Sequence, residues 1–353
     1  MKIINVVGAR PNFVKIAPLL RAMAKIDKFD TMLVHTGQHY HDKMSNSFFR
    51  DLEIPEPDIN FNVRSDTQTT QVAKVMIKFE KICLKEKPDL IVVVGDVNST
   101  LACALVATKL GIKLAHVEAG LRSFDRAMPE EINRILVDQI SDYLFITEED
   151  AYKNLIKEGI PRSKIYFVGN IMIDSLKNSL KKQTNIIKSL DLKENNYGII
   201  TLHRPSNVDN KSRLKNILDI LDGVKTKLVW PMHPRTKKNI EQFDFKINKK
   251  NIIITKPLGY LDFVSLLSKS MFVFTDSGGI QEETTYLKIP CFTIRKNTER
   301  PVTITQGTNI LVNSTKEIKD ALENNLIPKK NIKIPKYWDG NTAKRIVDIL
   351  KKV

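Results

Sequence analysis

Leu90-Ile91-Val92-Val93-Val94-Gly95-Asp96 is an unbroken β-branched run that stops at a glycine and an acid. Five residues without polar alternation read as a strand covered on both faces, the mark of a parallel sheet. Before it, the stretch 68–85 sets Val72, Val75, Met76 and Phe79 at helical spacing, and a further helix is expected near 99–110. Outward from this unit, strands are expected at 2–7, 31–35, 113–117, 143–146 and 165–168, and helices near 14–25, 130–140 and 148–158. After the Lys- and Asn-rich stretch 181–196 the alternation restarts. Strands are expected at 198–202, 227–231, 252–255, 271–275, 290–294 and 309–312, with helices near 211–222, 259–268, 279–287, 315–325 and 341–352. The fold class is α/β: two doubly wound domains with a cleft between them.

Length and charge agree with two domains. The 353 residues are 42% apolar and 27% charged, enough to bury a sizeable core, and the net charge is +16. Residues 1–168 hold 23 basic and 22 acidic side chains, whereas 169–353 hold 33 and 18, so an anionic ligand is expected in the second half. Cys83, Cys103 and Cys291 are far apart and form no Cys/His cluster, so no metal site is expected. The chain runs from Met1 into a strand without a signal-peptide pattern, and no apolar stretch is long enough for a bilayer. A soluble, cytoplasmic protein without membrane contact is expected.

Ligands of open α/β sheets bind beyond the carboxyl ends of the strands. Gly8-Ala9-Arg10-Pro11 and Lys15 follow the first expected strand, Gly95-Asp96 follow the 90–94 strand, and Glu118 follows the 113–117 strand. In the second half His203-Arg204, His233-Pro234-Arg235 and Asp276-Ser277-Gly278-Gly279 take the equivalent places. A Ser-Gly-Gly turn opening a helix suits a phosphate, because the unpaired N–H groups and helix dipole favour an anion; a plain tight turn is the alternative. Glu283, one turn further, would repel phosphate but accept from ribose hydroxyls; a dipole-favoured first-turn acid is its plainer reading. Asp96 could equally cap the next helix, Glu130 could be a first-turn acid after Pro129, and His203 stands between ligand contact and structural bonding. The chain has neither G-x-G-x-x-G after its first strand nor G-x-x-x-x-G-K-[ST], which removes support for nicotinamide and Walker-type chemistry. No cofactor is expected.

The longer strings resemble one family. Gly8-Ala9-Arg10-Pro11 with Lys15, His116-Val117-Glu118-Ala119-Gly120-Leu121-Arg122, Pro129-Glu130-Glu131-Ile132-Asn133-Arg134, Asp276-Ser277-Gly278-Gly279-Ile280-Gln281-Glu282-Glu283 and Thr298-Glu299-Arg300-Pro301 occur in the order of the non-hydrolysing UDP-N-acetylglucosamine 2-epimerases. The resemblance runs nearly end to end. It implies the GT-B fold of two Rossmann-like domains, 1–170 and 171–340, with the 341–353 helix packing back on the first, and a homodimer. It implies interconversion of UDP-GlcNAc and UDP-ManNAc by anti elimination of UDP to a 2-acetamidoglucal and syn re-addition. Asp96, Glu118 and Glu130 match the family's catalytic acids and His203 the histidine near the diphosphate. Arg10, Lys15, Ser277, Gly278, Gly279 and Arg300 match substrate contacts, Phe263 the ring against uracil, and Glu283 the ribose-binding glutamate.

This chain also departs from many bacterial members. Asn12 stands where they have an acid, and His203-Arg204-Pro205-Ser206-Asn207 where they read His-Arg-Arg-Glu-Asn. Gln38-His39-Tyr40-His41-Asp42-Lys43-Met44 is two residues longer than their counterpart, and Thr67 replaces an arginine beside Gln68. These changes fall where such members bind an allosteric UDP-GlcNAc, so activation by substrate is not expected. Other readings are a hydrolysing epimerase releasing ManNAc, an epimerase of a modified sugar such as UDP-2,3-diacetamido-glucuronic acid, and a GT-B glycosyltransferase. The last needs an acceptor but not three acids. The net charge also permits a nucleic-acid binder, which no RNP, KH or helix-turn-helix pattern supports.

Overall fold

The computed structural model describes residues 1–38, 49–64, 66–182, 184–247, 250–323 and 332–353. The chain forms two compact units, Met1–Lys177 with Lys336–Val353, and Asn178–Pro335. The first unit is built on β1 (Lys2–Val7), β2 (Asp30–His35), β3 (Ile59–Asn60), β4 (Leu90–Val94), β5 (Lys113–Ala119), β6 (Tyr143–Ile146) and β7 (Ile165–Phe167). They form one parallel sheet in the order β3-β2-β1-β4-β5-β6-β7, with its reversal between β1 and β4. Around it lie α1 (Arg10–Met23), α2 (Gln68–Glu86), α3 (Asn98–Lys109), α4 (Pro129–Ile140), α5 (Glu149–Lys157) and the start of α6 (Ile171–Leu180). All of Leu90–Val94 is buried, with Val75, Phe79, Ala102 and Ala107 packed over one face of the sheet.

The second unit contains β8 (Tyr197–Thr201), β9 (Lys227–Pro231), β10 (Ile252–Thr255), β11 (Phe272–Thr275), β12 (Cys291–Thr293) and β13 (Asn309–Leu311). These are parallel in the order β10-β9-β8-β11-β12-β13, reversing between β8 and β11. Its helices are α7 (Ile186–Ser189), α8 (Pro205–Val208), α9 (Lys211–Asp222), α10 (Pro234–Gln242), α11 (Tyr260–Leu267), α12 (Gly278–Leu287), α13 (Val302–Thr305) and α14 (Thr315–Glu323). Each unit thus has the switch point at which doubly wound sheets bind ligands. Among the described residues no helix is long and apolar enough to cross a membrane.

The last helix, α15 (Thr342–Leu350), belongs to the first unit and packs on α1. Its buried first turn is capped from a distance: Asp174 on α6 accepts from Thr342 N at 3.1 Å and Ala343 N at 2.8 Å. Ser175, the next residue, donates its hydroxyl to the Val14 carbonyl. Pro18 lies inside α1 and has no N–H to give that carbonyl, so Ser175 supplies the missing donor. These bonds, with Ile173 and Leu176 fully buried, place residues 171–177 in the first unit, so the chain leaves it after Lys177 rather than after 170. It returns at Lys336 rather than 341. Tyr337 crosses Gly169, where a Cβ would stand 2.1 Å from the Tyr337 carbonyl, and Trp338 donates to Thr147 O.

Other differences from the expected elements have local causes. Helix α1 starts at Arg10 rather than 14, because Asn12 Oδ1 accepts from both Gly8 N and Ala9 N at 3.0 Å and Pro11 suits a first turn. Helices α6 and α10, the four-residue helices α7, α8 and α13 and the two-residue β3 lie outside the expected elements. The α10 pattern is obscured by its polar sequence Pro-Arg-Thr-Lys-Lys-Asn-Ile-Glu-Gln, in which only Thr236 and Ile240 are buried.

Candidate active site

In the first unit the strand ends converge on Glu118. This residue lies inside β5 at a register shift between Val117 and Ala119, with φ of +74°. A non-glycine residue there is strained, and the bulge turns its side chain out of the regular alternation. Lys15, one turn into α1, meets Glu118 Oε1 at 2.7 Å, and the two side chains are 6% and 2% exposed. Gly95, at φ +67°, keeps room for that lysine: a Cβ there would lie 3.0 Å from Lys15 Nζ. Asp96 does not cap α3, whose N-cap is Val97 without a side-chain bond. Its carboxylate instead meets Arg134 Nη1 at 2.5 Å, and its carbonyl accepts from Asn133 at 2.8 Å. Glu130 is a half-buried first-turn acid of α4, and Arg10 the first residue of α1, its pKa lowered by burial.

Behind these groups lies a fully buried carboxylate, Asp138. One oxygen is 2.7 Å from His116 Nδ1; the other accepts from Gly120 N at 3.0 Å and meets Arg122 at 2.7 Å. His116 Nε2 donates to Gly95 O at 2.9 Å. Burial raises the Asp138 pKa, but His116 and Arg122 outweigh it and hold the group below the ordinary carboxylate range. Asp138 therefore grips the chain on both sides of Glu118 and, through His116, the residue before Asp96. Glu131 acts similarly on the next loop, accepting from Ser123 N, Ser123 Oγ and Phe124 N while pairing with Arg134. Sequence reasoning missed Asp138, Glu131 and Arg134 as organising groups; their spacing along α4, at 131, 134 and 138, was the available signal.

In the second unit Asp276, fully buried, takes the place of organiser. It accepts from His203 N at 3.1 and 3.0 Å and from Arg204 N at 2.8 Å, and it faces His203 Nδ1 at 2.9 Å. Burial raises its pKa, yet the His203 ring and the backbone donors bring it below the ordinary value. His203 is thereby fixed at the end of β8, its ring 5.5 Å from that of His233 at the end of β9. Ser277 is the N-cap of α12 without a capping bond from its side chain, and its own N–H donates to Thr275 Oγ1 at 3.0 Å. Gly278 admits Arg300: a Cβ there would lie 2.8 Å from Arg300 Nη1. Arg300 also pairs with Glu282 at 2.8 Å and Glu299 at 2.5 Å. Ser277, Gly278, Gly279 and Arg300 are thus brought together at one helix N-terminus, an arrangement suited to a phosphate. Glu283 accepts from Tyr260 Oη at 2.8 Å, and burial pushes its pKa up to about 7. Phe263 stands half-buried one turn after Tyr260 on α11.

The departures have structural jobs. Asn12, besides holding Gly8 and Ala9, donates Nδ2 to Val94 O at 2.9 Å, which a carboxylate could not do. Thr67 caps α2 by accepting from Thr70 N. Gln38 accepts from Ser99 N and Oγ, whereas the rest of the Gln38–Met44 string lies outside the described residues. Among the described residues no cluster of His, Cys, Asp and Glu could hold a metal ion.

The family model for UDP-N-acetylglucosamine 2-epimerase matches residues 21–351. The chain belongs to the UDP-N-acetylglucosamine 2-epimerase family. Its similarity to the UDP-N-acetylglucosamine 2-epimerase of Methanocaldococcus jannaschii is 46% identity over 99% of both chains. The crystal structure of the M. jannaschii enzyme in complex with UDP-GlcNAc and UDP superposes with a TM-score of 0.93 at 45% identity, covering 100% of each chain. The UDP-2,3-diacetamido-2,3-dideoxy-D-glucuronate 2-epimerase of Pseudomonas aeruginosa is 38% identical over the full length of both. The two parallel sheets of this epimerase-family chain are those of the GT-B fold.

Proposed function

We propose that this protein is an isomerase that interconverts UDP-N-acetylglucosamine and UDP-N-acetylmannosamine at C2 without a redox cofactor. The observation that carries the reading is Glu118, a buried carboxylate on strained backbone with one ammonium against it, beside an Asp96 fixed by Arg134. The C2 proton has no adjacent carbonyl, so its removal needs help from the leaving group. As the C1–O bond to UDP loosens, positive charge grows at C1 and acidifies the neighbouring C–H. A carboxylate takes the proton, the C–H electrons form the C1–C2 double bond, and the C1–O pair departs with UDP. Return of a proton to the other face of C2 and of the UDP oxygen to C1 completes inversion.

Inversion requires acid and base groups on both sugar faces, and Asp96, Glu118 and Glu130 form that set. His203 and Arg10 stabilise the departing diphosphate, with Lys15 contributing its charge beside Glu118. Ser277, Gly278, Gly279 and Arg300 hold phosphate oxygens, Glu283 the ribose, and Phe263 the uracil ring. A homodimer in the cytoplasm completes the proposal, on the strength of the family resemblance. The greater identity to the M. jannaschii UDP-N-acetylglucosamine enzyme, 46% against 38% for the diacetamido-glucuronate enzyme, favours the unmodified sugar.

The test is incubation with UDP-N-acetylglucosamine in deuterated water, followed by NMR. UDP-N-acetylmannosamine deuterated at C2 supports the proposal. Accumulating free N-acetylmannosamine would replace it with the hydrolysing reading. No C2 exchange here, with exchange in UDP-2,3-diacetamido-glucuronate, would move it to the modified sugar.

A further inference from the structure

Tyr260 and Phe263 are three residues apart on α11 and so lie on the same side of it. Their surroundings differ. Phe263 is half-buried against the cluster of Ile199, Leu266 and Leu267, while Tyr260 is 6% exposed and sends its hydroxyl to Glu283 Oε1 at 2.8 Å. A buried tyrosine hydroxyl needs a partner, and this one is a carboxylate on α12, past the turn at Ser277-Gly278-Gly279. The bond removes rotamer freedom from Glu283 before any ligand arrives, a cost that binding would otherwise carry.

We propose that Tyr260 is a positioning residue for nucleotide recognition: it aims Glu283 at the ribose, so that α11 sets both the base contact and the selection of ribose over deoxyribose. This rests on the reading of Glu283 as the ribose acceptor. Discrimination by a buried polar group is strong because a missing hydroxyl leaves that group without its bond.

The experiment is calorimetric titration of the full chain with UDP, 2′-deoxy-UDP and 3′-deoxy-UDP. The wild-type protein is expected to bind UDP about tenfold or more tighter than at least one deoxy analogue. In Tyr260→Phe that ratio is expected to fall to within about threefold, with binding of the deoxy analogue unchanged. Replacing Tyr260 by para-aminophenylalanine, which keeps a donor, restores the ratio. If Tyr260→Phe does not fold, para-fluorophenylalanine fills the hydroxyl's space without a donor and takes its place. Equal weakening of all three ligands, or an unchanged ratio, overturns the proposal. Glu283→Ala tests the underlying reading separately: a wild-type ratio in that variant removes Glu283 from the ribose, whatever Tyr260 does.

Discussion

Lys15 Nζ lies 2.7 Å from Glu118 Oε1, and the two buried groups come from elements 103 residues apart in sequence. Removing one member of such a pair strands the other, at a cost of about 3–5 kcal/mol. Lys15→Met and Glu118→Gln are therefore each expected to lower stability. The double variant is expected to recover much of that loss while remaining inactive. Urea melts and C2 deuterium exchange on the same preparations check both halves, and an active double variant would remove the pair from the chemistry.

Asp96 pairs with Arg134, and Glu130 is a half-buried first-turn acid of α4. Asp96→Asn and Glu130→Gln are each expected to lose at least about 100-fold in turnover, on the scale of general acid–base catalysis. UDP affinity should survive in both, because the residues proposed to hold the phosphate oxygens, the ribose and the uracil, from Phe263 to Arg300, belong to the other unit. Full activity in both variants, measured alongside UDP titration, would make these acids structural.

Little of this arrangement could be seen in the sequence, although the strands that carry it could. Runs such as Leu90–Val94 announce themselves because a doubly covered strand has no polar residues to confuse its period. Helix α10 hides for the opposite reason, being nearly all polar. The acids at 96 and 118 stood out as strand-end residues, but the bulge that turns Glu118 depends on Asp138, twenty residues later. Long-range polar bonds of that kind leave no periodicity. Arg300 is legible in its Thr-Glu-Arg-Pro string, whereas its approach to Gly278 joins positions 22 apart that no local pattern links.

Glu283 makes stability depend on pH. Its pKa is about 7 in the folded protein against 4.5 for an ordinary glutamate, chiefly through burial. The folded state holds the proton longer than the unfolded state. The resulting contribution to stability is full below pH 4.5 and lost as pH rises through about 7. Its steepest slope is about 1.4 kcal/mol per pH unit. Subtracting the profile of Glu283→Gln from that of the wild type isolates this slope; a flat difference refutes it.

Ser175→Ala should leave the Val14 carbonyl without its donor and destabilise the first unit by about 1–3 kcal/mol. Pro18→Ala restores the helical N–H to that carbonyl. Adding Pro18→Ala to Ser175→Ala is therefore expected to recover stability, and a double-mutant cycle without coupling would refute the account.

The three thiols should be silent. Cys83, Cys103 and Cys291 are buried, and burial pushes the Cys83 and Cys291 thiols up to about 12 and about 11. Native protein at neutral pH is expected to react with thiol reagents only as fast as it unfolds.

Asp174 reaches across to cap α15, and Gly169 makes room for Tyr337; both contacts join residues separated by more than 160 positions. During synthesis the ribosome delivers residues 1–177 long before residues 336–353. The amino-terminal unit must wait, its docking surface for α15 uncovered, while the entire carboxy-terminal unit emerges and folds. Its completion comes after synthesis of the second unit rather than before it, so a chain cut short anywhere within residues 178–335 leaves both units unfinished.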